Sequence, residues 1–191
     1  MYQQNEIRRV SFVNEPGVQG RTVASVSVGD AFWFRLYVTN TGQTAARDVE
    51  VTIGDVTRLD DGRFVPYSGF LLSNLIWTHE REVSRAQLLP GTDRNVDLGN
   101  MRRPDPNTQV QFRFQLSIDP VSAYNVVEPG TYEFDIQVGA ANCDQVKTRF
   151  RLAFDGMWSA DHEVMFKRHF SITRLESQGQ NAGTRTRRQT S

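Results

Sequence analysis

Three histidines and a single cysteine are the side chains of this sequence best suited to metal or covalent chemistry, and their spacing works against both. A zinc-protease helix needs histidines at i and i+4, so that both reach one metal from the same face. His162-Glu163 opens such a motif, but Phe166 stands where the second ligand belongs, and His79-Glu80 fails in the same way at Val83. His162 and His169 share a helix face only if one helix runs through both; the alternative is a pair of solvent-exposed polar residues near a helix end. Asp60-Asp61-Gly62 offers two carboxylates, too few for a calcium loop, and suits a hairpin tip. Cys143 lies between Asn142 and Asp144, without the neighbouring cation that activates a thiol. The sequence contains neither a Gly-x-Ser-x-Gly elbow nor a glycine-rich phosphate loop. The expectation is a non-enzyme with no catalytic residues, no metal site and no cofactor.

Side chains suited to recognition are easier to find. Trp33, Arg35 and Tyr37 alternate along one candidate strand and form an aromatic and cationic stripe on its wet face. Such residues anchor interfaces, although a helix or loop lying over them would make the stripe a second small core. Phe70, Leu72 and Trp77 belong to an apolar segment, Phe70-Leu71-Leu72 with Leu75-Ile76-Trp77, that is either a buried strand or plug against the sandwich end, or an exposed patch. Arg102-Arg103 and the tail residues Arg185, Arg187 and Arg188 have the charge to touch phosphate or anionic lipid, or to form solvated surface.

The elements that must position these groups are strands. Val110, Phe112, Phe114, Leu116 and Ile118 alternate with Gln111, Arg113, Gln115 and Ser117, which predicts a half-buried strand over Thr108–Ile118. Ile7–Val13, Thr22–Val28, Ala31–Thr39, Asp48–Val56, Asn95–Leu98, Thr131–Val138, Val146–Phe154 and His169–Arg174 read as strands too. Turn formers separate them at Asn40-Thr41-Gly42, Asp60-Asp61-Gly62, Pro90-Gly91 and Pro129-Gly130. Short turns without βαβ alternation imply antiparallel sheets packed face to face.

One hairpin has a definite register. If Thr131–Val138 and Val146–Phe154 pair around Asn142, Phe134 faces Phe150 and Tyr132 faces Leu152 on the dry side. The wet side then matches Glu133 with Arg151, Asp135 with Arg149 and Gln137 with Lys147. A slip by one residue buries the charges, so both patterns select the same pairing. Gly156–Lys167 predicts one short helix, with Ser159 as N-cap, acids in its first turn, Lys167-Arg168 at its end, and Trp158, Val164 and Met165 turned inward. From Glu176 onward the chain has too few apolar residues to fold.

The stretch from Phe34 to Ile53 resembles a motif of bacterial immunoglobulin-like domains: a strand ends in Asn-x-Gly (Asn40 to Gly42), small residues turn, and the next strand begins Val-x-Val (Val49 to Val51). It looks most like the cell-adhesion-related domain found in bacteria. Pro129-Gly130-Thr131-Tyr132 is similar to the late hairpin of such domains. The resemblance implies a fold far more than an activity. Ala140 to Asn142 and Gly156 to Phe166 look like the soluble parts of bacterial proteins that carry N-terminal transmembrane segments.

Composition narrows the remaining options. Twenty-two basic residues balance 22 acidic ones, so no global field draws nucleic acid or an anionic membrane. One cysteine excludes an internal disulfide, and Met1 to Arg9 has no apolar leader core, which favours a reducing, cytoplasmic setting unless a longer protein supplies an anchor. The expected architecture is all-β: an antiparallel immunoglobulin-like β-sandwich over residues 1–175 with one short C-terminal helix, and a disordered tail over 176–191. The expected role is a non-catalytic binding or scaffolding module that recognises a protein partner or small ligand through a sheet face or end loops. The alternatives are a sensor or regulatory domain of a membrane-anchored bacterial protein, and a virion or tail-decoration module.

Overall fold

Alternating apolar and polar residues give this chain strands that are dry on one face, and two antiparallel sheets bury those faces against each other. The computed structural model describes residues 8–11, 30–78, 85–118 and 124–175. Its strands in chain order are β1 (Arg8–Ser11), β2 (Asp30–Thr39), β3 (Ala46–Asp60), β4 (Arg63–Pro66), β5 (Ser73–Asn74), β6 (Ile76–Trp77) and β7 (Arg85–Leu88). There follow β8 (Asp93–Arg102), β9 (Phe112–Phe114), β10 (Val126–Val127), β11 (Gly130–Ala140), β12 (Cys143–Phe154) and, after one short helix, β13 (Phe170–Arg174). The first sheet runs β1-β2-β8-β9-β10, with β6 also on β8; the second runs β13-β12-β11-β3-β4, with β5 and β7 also on β3.

The two sheets meet through aromatic rings. Phe114 of β9 and Phe134 of β11 lie edge to face at 5.4 Å, and Phe34 of β2 sits 4.4 Å from Phe170 of β13. Phe32, Phe112, Phe114 and Phe134 are fully buried, as are Trp77 and Tyr132 to within 1 %. Burial at this scale, about 1.5–3 kcal/mol per large apolar side chain, is what holds the sheets together.

The β11–β12 hairpin has the register that its sequence requires: Tyr132 pairs with Leu152, Phe134 with Phe150, Glu133 with Arg151, Asp135 with Arg149 and Gln137 with Lys147. The central strand is shorter than its alternation. Only Phe112–Phe114 holds a ladder, yet Val110 and Leu116 remain buried, because Val110 N–H donates to the Gly156 carbonyl and Leu116 bridges Leu75. Ile118 falls outside and is 78 % exposed.

The other strand expectations divide similarly. Residues 8–11 supply β1 within the expected Ile7–Val13, whereas Thr22–Val28, His79 and the tail from 176 lie outside the described residues. The two-residue Asp61-Gly62 turn joins β3 to β4, and both residues have positive φ, as the twist of a tight hairpin demands. Asp48 and Asp55 also have positive φ, where bulges interrupt β3. The bulge at Asp55 moves the buried positions from Val51 and Ile53 to Val56.

The helix begins two residues later than Ser159 suggests. Asp161 is the N-cap, its Oδ1 accepting the Val164 N–H at 3.0 Å, while Ser159 Oγ accepts the Asp161 N–H and turns the chain into it. α1 (His162–Val164) continues in wider π turns over Met165–His169. Met165 is buried, and Phe166 packs its ring against Phe32 and Phe34.

Candidate functional site

On the outer face of the first sheet, register sets the neighbours. Trp33 pairs with Asn100, which pairs with Arg113, which pairs with Val126; Arg35 pairs with Asp97, and Tyr37 with Asn95. Trp33, Arg35 and Tyr37 therefore share a face as expected, and all three are half-buried. Arg35 Nε donates to Asp97 Oδ1 at 2.9 Å, and Thr78 Oγ1 donates to the same oxygen at 2.8 Å. The cation of the stripe is thus part of a fixed ion pair.

The second expected cluster does not form one patch. Phe70 turns inward, with its ring edge to face on Phe114 and Tyr124 at 5.5 Å. Trp77 is 1 % exposed within the core, under the Arg94 guanidinium. Leu72 and Leu71 are each 64 % exposed, and Leu72 lies against Gly54 of β3. Of the six residues, three line the first sheet, Trp77 fills the core, Phe70 packs half-buried against it and Leu72 caps the second sheet.

A groove of about 570 Å³ opens beside the Trp33 row. Its floor is Asn100 and Arg113, and its walls carry Arg102, Arg103, Gln109 and Gln111. The β8–β9 crossing that holds the floor is tight: a Cβ on Gly99 would come within 2.5 Å of the Arg113 carbonyl oxygen and 2.6 Å of the Phe112 ring. Asn100 is 2 % exposed, with Nδ2 3.4 Å from Gln115 Oε1. The Thr108 hydroxyl and N–H both donate to the Asp105 carbonyl and fold the connecting loop over one end. Among the described residues, Arg103 and Arg113 form no ion pair. Arg102-Arg103 stand out in the sequence as a basic pair, whereas the amides and Arg113 do not; their only signal is the place of Gln111 and Arg113 on the wet side of the alternating segment.

At one end of the sandwich two asparagines fix the loops around a cavity of about 280 Å³, lined by Val38, Val49, Leu88 and Val138. Asn40 Oδ1 accepts the Gly42 N–H, and its Nδ2 donates to the carbonyls of Thr44 and Leu88. Asn142, at the β11–β12 tip, accepts from Arg47 N–H and donates to the Ala45 carbonyl, both at 2.9 Å. Cys143 is exposed at the rim.

The outer face of the second sheet carries a lattice of charges. Glu133 accepts from Arg149 Nε at 3.0 Å and from Arg151 Nη2 at 2.6 Å, and Lys147 lies 2.9 Å from Asp135 and 2.8 Å from Asp55. The acids are far less exposed than surface partners would be, at 8 % for Glu133 and 3 % for Asp135, because the basic side chains lie flat over them. Burial pushes the Glu133 carboxyl up, but the hydrogen bonds and charges of Arg151 and Arg149 outweigh it and hold it below its ordinary value. A hydrogen bond from Lys147 likewise holds Asp55 low.

The histidines go separate ways: His162 packs its ring on Phe166 at 4.7 Å, and His169 Nδ1 pairs with Asp155 Oδ2 at 2.9 Å. No group of three or more His, Cys, Asp or Glu side chains that could hold a metal occurs among the described residues. The chain matches no protein-family model, and a search of curated proteins finds no match for it.

Proposed function

We propose that this chain is a non-catalytic binding module of the bacterial immunoglobulin-like kind, and that it takes a protein partner or small ligand on the outer face of its first sheet. The observation that carries this reading is the groove of about 570 Å³, built on rigid strands and continuous with the Trp33 row. Binding sites are concave, with a few fixed polar groups placed on a preformed scaffold.

Two local features support the immunoglobulin-like assignment. The Asn40 turn joins a strand of one sheet to a strand of the other, its side chain holding the loop. Tyr132, near the start of β11, donates its hydroxyl to the Glu128 carbonyl at 2.9 Å, four residues upstream, in the manner of the tyrosine corner of such sandwiches.

The test is a screen of the isotope-labelled chain against a library of metabolites and short peptides, with every shifted amide mapped. Shifts on β2, β8 and β9 are expected. Turnover of a library member, or shifts confined to the outer face of the second sheet, would overturn the proposal.

A further inference from the structure

We infer that the groove between β8 and β9 binds the anionic group, phosphate or carboxylate, of a small hydroxylated ligand. The inference rests on the binding-module reading above and names the ligand chemistry of that site.

Three guanidinium groups, of Arg102, Arg103 and Arg113, line one groove. Several arginines outside the groove are held by acids: Arg35 by Asp97, and Arg149 and Arg151 by Glu133. Arg103 and Arg113 have no such carboxylate among the described residues, although two acids line the same groove. A guanidinium presents planar, paired N–H donors that fit the oxygens of a carboxylate or phosphate two at a time. Arg113 leaves the middle of a ladder fixed by the Gly99 crossing, so its donors start from a rigid backbone.

The lining also limits what the anion belongs to. Three cations against Asp105 and Glu128 leave a local excess of one positive charge. That is too little for a nucleic acid or an acidic tract, which need a continuous basic stripe. It suits one anionic group. Asp105 and Glu128 accept hydrogen bonds, and Asn100, Gln109 and Gln111 both donate and accept, so the rest of the groove matches hydroxyls. The volume of about 570 Å³ holds a ligand of sugar size.

The test titrates the isotope-labelled full chain with glucose 6-phosphate, glucuronate, glucose and inorganic phosphate. Both charged sugars are expected to shift the amides of Asn100, Gln111 and Arg113, with glucose and inorganic phosphate each weaker by about tenfold or more. Whichever charged sugar binds tighter identifies the anion. Arg113→Gln should weaken binding about tenfold or more without moving the melting temperature, and Arg103→Gln provides the same readout if the first variant is unstable. Raising NaCl from about 0.05 M to about 0.5 M should weaken it further.

Failure of both charged sugars to shift groove amides, or unchanged affinity in both variants, would overturn the inference. Inorganic phosphate binding as tightly as glucose 6-phosphate would overturn its hydroxyl part. If the anions fail while other library members shift Tyr37 or Asp97, the anion assignment falls and the binding module stands; if those fail too, both fall.

Discussion

Replacing Phe114 with alanine tests the packing on which the whole architecture depends. The ring has no exposed surface and meets three others edge to face: Phe112 at 5.0 Å, Phe134 at 5.4 Å and Phe70 at 5.5 Å. Phe134 belongs to the opposite sheet, so truncation opens a void between the layers and leaves no strand free to close it. Buried Phe→Ala changes cost about 3–5 kcal/mol, and edge-to-face ring pairs add about 0.5–1.5 kcal/mol each beyond area, which places this site at the upper end, about 4–5 kcal/mol. For a chain of this size each kcal/mol lowers Tm by about 2–4 °C, so a fall of about 8–20 °C is expected. Urea unfolding should show the loss as a lower midpoint at unchanged slope. Phe114→Leu, which keeps most of the volume, should retain the fold at a smaller cost, and Phe114→Asp should abolish it by burying an unpaired carboxylate. A loss below about 1.5 kcal/mol for Phe114→Ala would refute the interlayer packing assigned to this ring.

Two further outcomes are expected. Asn142→Ala removes both side-chain hydrogen bonds between the hairpin tip and residues 45–47 and leaves the backbone bond from Ala141 N–H to the Arg47 carbonyl, so stability should fall by about 1 kcal/mol and the Arg47 amide should exchange faster; unchanged protection would refute the clamp. The pH dependence of Tm should steepen in acid: Glu133, Asp55 and Asp155 have folded values below their ordinary ones, so the unfolded chain takes up protons first. Their stabilisation is present above the ordinary carboxylate range and is lost as pH falls through the depressed values, and a Tm that stays flat below about pH 4 would contradict the ionic lattice. On the alkaline side Tyr132, pushed up to about 12 by burial, keeps its proton when the unfolded chain has lost it, so stability should decline as pH rises above about 10.

What the sequence discloses about the fold follows period and side-chain size. The β11–β12 register was legible because apolar and charged residues both alternate over eight positions, and a slip violates both patterns. The Asp61-Gly62 turn was legible from its residue types alone. The fate of Phe70-Leu72 and Trp77 was not, because a short apolar run carries no period and is distributed only when three separate surfaces compete for it. The depth of Glu133 and Asp135 escaped for a related reason: local alternation places them on the wet face, but the long side chains of Lys147, Arg149 and Arg151 decide how much water reaches them. The groove assembles Asn100 with Arg113 across a loop, a neighbourhood that only strand pairing creates.

The 15 residues of β3 carry one consequence beyond packing. One flank follows β11, while the other is tiled by β7, β5 and β4 in succession, each with its own short ladder. Extra residues arising between Pro66 and Ser73 would break none of these ladders. Through that gap the gene can lengthen the chain while the long strand keeps its partners.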